Sequence, residues 1–87
     1  MAKPVEFEET NVVFGEGQED YQPLPAFRDH KGVVLTCWQL SEQELNEIKR
    51  TGKIWLSQMT FNQALQPVLI SGLKHEMIVE NKDIENG

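Results

Sequence analysis

An 87-residue chain that is 39% apolar, with 8 basic against 14 acidic side chains and a formal net charge of -6, has room for one small core and none for the deep cleft of a large enzyme. Its apolar residues are too many and too evenly spread for a wholly disordered protein, and no apolar run exceeds three residues, as in Val68-Leu69-Ile70, far short of a membrane helix. One cysteine, Cys37, excludes an internal disulfide and, with only two histidines, does not complete the four-ligand set of a structural zinc site.

These limits imply a reducing compartment, no metal and no cofactor, and a core that stands on packing or on oligomerisation. The first residues offer no apolar stretch for a signal peptide, so the cytoplasm is the expected location. Charge divides the chain: residues 1–20 carry six acids against one base, 21–75 four acids against six bases, and 76–87 four acids against one base. The expected organisation is an acidic N-terminal margin with a candidate edge strand (1–17), a compact α+β domain (18–75) and an acidic, mobile C-terminal tail (76–87).

In chain order, residues 5–9 and 11–14 are candidate strand pieces ended by Gly15-Glu16-Gly17. Two prolines, Pro23 and Pro25, then fix φ and disfavour helix at the residues before them, which predicts a polyproline-like strap over 21–28 that lays Tyr21, Leu24 and Phe27 along one surface. Asp29-His30-Lys31-Gly32 reads as a hairpin turn, with Asp29 bonding back to the backbone and Gly32 free to take φ > 0. Residues 32–38 form a β-rich strand in which Val33, Leu35 and Cys37 share one face.

The clearest local signal is a helix start. Ser41 and Glu44 have the spacing of a reciprocal capping box, Leu40 and Leu45 that of a hydrophobic staple, and Gly52 stands where a left-handed C-terminal residue is needed, so the helix runs about 42–51. Its narrow stripe, Leu45 and Ile48, must lean on a sheet. Residues 53–61 read as a second strong strand, 62–67 as a turn, 68–71 as its hairpin partner, and 77–79 as a weak extension. The fold class is a small single-domain α+β protein with an antiparallel or mixed β-sheet and one short helix, in the order β-strap-β-α-β-β.

Few residues suggest bond-making chemistry. Cys37 precedes a helix N-terminus, a setting that activates thiols, but it lies four residues before Ser41, and neither His30 nor His75 is placed to serve as its base. The alternation makes it a small buried hydrophobe. Arg28, Lys31, Lys49, Arg50 and Lys53 form the cationic set, yet three of them gather at a helix C-terminus, where anions are repelled. Thr51-Gly52-Lys53 lacks the spacing of a P-loop, and the acidic balance disfavours nucleic acid. Trp38 and Trp55 flank the helix and suit either a core lid on one sheet face or a contact surface.

The strings Tyr21-Gln22-Pro23-Leu24-Pro25 with Arg28, Thr36-Cys37-Trp38, Thr51-Gly52-Lys53-Ile54-Trp55-Leu56 and Gln66-Pro67-Val68-Leu69 together resemble a pattern in small uncharacterised proteins of tailed bacteriophages and prophages, over residues 18–71. The resemblance implies a phage, prophage or bacterial-host setting and brings no activity and no catalytic residue with it. The expected function is that of a non-enzymatic accessory protein. It would act by self-association, as a homo-oligomer, or by binding a host protein through Tyr21, Leu24, Phe27, Arg28, Trp38, Trp55 and Phe61. The alternative is a nucleotide-sequestering protein that stacks a base on Trp38 or Trp55 and holds its phosphate with Arg28 or Lys53.

Overall fold

Residues 1–17 and 22–78 are described by the computed structural model, which divides the chain into two units, Met1–Lys53 and Ile54–Gly87. The first unit holds strands β1 (Lys3–Val5), β2 (Val12–Phe14), β3 (Leu24–Arg28), β4 (Val34–Leu35) and β5 (Cys37–Gln39), followed by helix α1 (Glu42–Thr51). The second contains, among its described residues, the single helical turn α2 (Lys74–Met77). The protein is a small α+β fold with antiparallel sheets and, among the described residues, one short helix of more than a turn, in agreement with the fold class expected from sequence.

One sheet has the order β2-β3-β4 and the other pairs β1 with β5. The segment read as a strap is therefore corrected: Leu24–Arg28 is the central strand of three, with Val12 opposite Ala26 and Phe14 opposite Leu24 on one side, and Leu35 opposite Phe27 on the other. Extended φ at a proline suits a strand as well as it suits polyproline. A nearby partner supplied by Asn11 decides the outcome. The Asn11 backbone N–H donates to the Ala26 carbonyl at 2.9 Å, while its side-chain amide donates to the Arg28 carbonyl at 3.0 Å and accepts the Arg28 N–H at 2.9 Å. The side chain thus prolongs the ladder by imitating a peptide group.

These bonds also explain why the expected strand 32–38 breaks in two. Ala26 and Arg28 turn their backbone groups toward β2, so by alternation Pro25 and Phe27 turn theirs toward β4. Phe27 can bond β4, but Pro25 has no N–H to offer. The ladder therefore ends at Leu35, and after Thr36 the chain joins the other sheet as β5, with Val5 opposite Cys37 and Pro4 opposite Trp38. Pro4 is tolerated there because β1 has a free edge. The turn before β4 forms as its residues dictate. Asp29 Oδ1 accepts from the N–H groups of Lys31 and Val33, both at 2.9 Å, and Gly32 has φ of 92°.

Among the described residues Ala26 is the one buried hydrophobic residue, on the face of β3 shared with Leu24 and lined across β2 by Val12 and Phe14. Helix α1 spans the residues its sequence predicts. Ser41 Oγ accepts the Glu44 N–H at 3.2 Å, the Ser41 N–H donates to Glu44 Oε1 at 2.9 Å, and Gly52 closes the helix with φ of 69°. The expectation that its apolar stripe would be buried on a sheet is corrected: no residue of α1 is buried, and Leu45 is exposed. Capping and the Glu47–Arg50 pair, rather than packing, define this helix.

The capping box sets up a pH dependence. Donation from the Ser41 N–H, then from its hydroxyl, with a further bond from the Ala2 backbone, holds the Glu44 carboxyl below its ordinary value of 4.5. A carboxyl depressed by folding contributes stability above the ordinary value, and that contribution is lost as pH falls through the lower folded value. Ser41→Ala should cost about 1 kcal/mol near neutrality. In acid, the gap between wild type and variant in urea midpoint should shrink without vanishing, because the bond from the Glu44 N–H is insensitive to pH. An equal gap at both pH values would contradict this account.

In the second unit the expected strands at 53–61 and 68–71 are absent, and no strand is formed at Met77 or Ile78; position 79 of the expected 77–79 extension lies outside the described residues. A tight turn does form, with the Gln63 N–H donating to the Thr60 carbonyl at 3.0 Å and Phe61 and Asn62 at φ of 55° and 63°. Positive φ at both central residues is the hairpin-type turn. Continued outward, its register would put Gln58 opposite Leu65 and Leu56 opposite Pro67 as hydrogen-bonded pairs, and Pro67 has no N–H for Leu56. A phenylalanine also occupies a position that favours Gly or Asn. Both features oppose the hairpin, and a two-stranded ribbon alone is marginal in water.

Candidate functional site

The residues expected to form one contact surface are distributed over different faces and units. Leu24 and Phe27 lie on opposite faces of β3, because a separation of three residues reverses the side in a strand. Arg28 shares the Leu24 face, its guanidinium carbon 5.7 Å from the centroid of the Phe14 ring. Trp38 stands on β5 in the other sheet, with its indole N–H donating to Thr36 Oγ1 at 2.9 Å. Tyr21 lies outside the described residues. The continuous surface expected over 21–28 is not formed by the described part of that segment.

Trp55 and Phe61 belong to the second unit and sit on no strand. The reading of Trp55 as a core lid is corrected, since its ring is 88% exposed. Phe61, at 78%, is lifted into solvent by the turn whose strained position it occupies. Trp38 is about half exposed. Cys37 is also exposed rather than buried: it lies on β5 opposite Val5, and Val33, expected on the same buried face, is itself exposed. Lys53 ends the first unit, its backbone N–H donating to Thr51 Oγ1 at 3.2 Å. His30 and His75 are exposed.

Around Trp55 and Phe61 lies a feature that residue-by-residue reading overlooks. From Ile54 to Leu73 the sequence contains no charged residue, although 25% of the whole chain is charged. Within that stretch ten large hydrophobic side chains are exposed, Met59 and Leu69 to about three-quarters of their surface. Ser71 closes the stretch: its hydroxyl accepts the Leu73 N–H at 2.9 Å and donates to Glu76 Oε1 at 2.5 Å, next to α2. The signal was available in the sequence as an absence of charge. Strand propensity concealed it by supplying a reason for those hydrophobic residues to be indoors.

No protein family model, no curated protein and no solved structure matches this chain. The resemblance to phage proteins accordingly rests on the quoted strings alone. Among the described residues, no group of three or more His, Cys, Asp and Glu side chains is arranged to hold a metal ion, and no helix is long and apolar enough to cross a membrane. The stretch offers ten exposed large apolar side chains, with no charged residue among them, that other apolar surface can cover.

Proposed function

We propose that this chain is a non-enzymatic accessory protein, of the kind its phage-like strings suggest, that acts by binding protein, either its own copies or a host component. The observation that carries this reading is the uncharged and exposed stretch 54–73, which carries Trp55 and Phe61. Exposed apolar patches of this extent are characteristic of interaction sites, and aromatic anchors supply much of the binding energy at such sites. The acidic remainder of the chain keeps the free protein from indiscriminate association.

Amide hydrogen exchange tests the reading. In dilute full-length protein the amides of 54–73 should exchange quickly, and they should slow when a protein covers the stretch. Strong protection in the dilute monomer would mean that these residues form the chain's own core, and the reading would fail.

A further inference from the structure

We infer that the occupant of the 54–73 surface is a second copy of this chain, the two stretches meeting face to face about a two-fold axis. The inference rests on the interaction reading above and specifies its partner. Charge is the first argument. All 8 basic and 14 acidic side chains lie outside 54–73, so it is the longest part of a net-acidic chain that can meet its own copy without placing like charges together. A two-fold contact brings a patch against itself, and a patch without charge is complementary to itself. An uncharged face has no electrostatic means of selecting an acidic or a basic partner.

Area is the second argument. Ten large apolar side chains exposed to between 45% and 88% present on the order of 750 Å². One partner buries about 800 Å² in a standard stable interface. Covering all ten side chains would therefore bring the contact close to the size of a stable dimer interface. Its backbone is also available. Residues 54–59 belong to no strand in the described structure, although their composition suits one. Contact with a second copy gives these strand-prone residues the neighbour that Pro67 prevents the same chain from providing.

Sedimentation velocity of the full chain over a concentration series decides the matter. The mass should rise from 10.0 kDa to twice that value, with a gain of β signal in the far ultraviolet. In a Trp38→Phe variant, which leaves Trp55 as the sole indole, the emission should shift to the blue over the same range. Leu69→Asp should raise the midpoint concentration at least about tenfold, because dimerisation would then bury two like charges. Val33→Asp, on an exposed position of the first unit, should leave the midpoint where it was, and amide spectra should verify that both variants keep the first unit folded. A mass that stays monomeric throughout overturns the inference, as does a Leu69→Asp midpoint equal to wild type. If that monomer exchanges its 54–73 amides quickly, the interaction reading stands and a different protein is the occupant; if those amides are protected, the interaction reading falls as well.

Discussion

Ala26→Asp should unfold the first unit. Ala26 is completely buried, the sole hydrophobic residue among those described that is, and it lies on the central strand with Val12 opposite. An aspartate there would either keep its charge out of water, where the Arg28 guanidinium on the same face of β3 offsets only part of the cost, or take up a proton and leave a polar group among Val12, Phe14 and Leu24. The first course carries an effective penalty of several kcal/mol, and the second roughly 1–3 kcal/mol on the scale of mutational data. Small domains have a total stability of about 5–15 kcal/mol, and a unit with so little buried surface belongs at the bottom of that range. The variant should show collapsed amide dispersion and loss of the cooperative urea transition. Ala26→Ser, with a smaller polar group, should remain folded with a lower midpoint. A well-dispersed Ala26→Asp spectrum would show that the organising core lies elsewhere.

The same residue illustrates which parts of the fold could be read from sequence. The capping box at Ser41 and Glu44, the left-handed Gly52 and the Asp29 turn are decided within a few residues, and they form as their spacing predicts. The pairing of β3 with β2 depends on Asn11, seventeen positions before Arg28, and no local pattern announces that an amide side chain will complete a ladder. The break at Thr36 is decided by Pro25 on a neighbouring strand. Strand propensity at 53–61 is high, but propensity states that a segment suits a pleated surface and not that a partner strand exists. A turn over 62–67 leaves the missing N–H of Pro67 harmless; the observed turn at 60–63 moves Pro67 to the register position opposite Leu56, where it is not.

The candidate surface was legible in the same uneven way. Large aromatic residues are frequent contact anchors, which points to Trp55 and Phe61 from sequence, and both are among the most exposed hydrophobic residues of those described. A strap would set Leu24, Phe27 and Arg28 beside them on one surface, whereas the strand divides Leu24 and Arg28 from Phe27 between two faces. The stronger indicator was the contrast between 54–73 and its surroundings. It emerges when the position of charge is compared with the position of exposed apolar surface.

Trp55→Ala therefore has an expected signature opposite to that of a core substitution. A buried tryptophan truncated to alanine would cost about 3–5 kcal/mol of folding stability. With its ring 88% exposed, Trp55 has few contacts to lose in the monomer, and the urea midpoint of dilute protein should change by no more than about 0.5 kcal/mol in equivalent stability. Association should suffer instead. An aromatic anchor at the centre of an interface typically accounts for at least about 2 kcal/mol, or roughly a thirtyfold weaker dissociation constant. The two measurements, denaturation at a concentration where the chain is monomeric and sedimentation where it self-associates, separate the roles because each is insensitive to the other. Loss of stability without loss of association would return Trp55 to the core. Retention of both would remove it from the functional surface and place the anchor on Phe61 or Leu69.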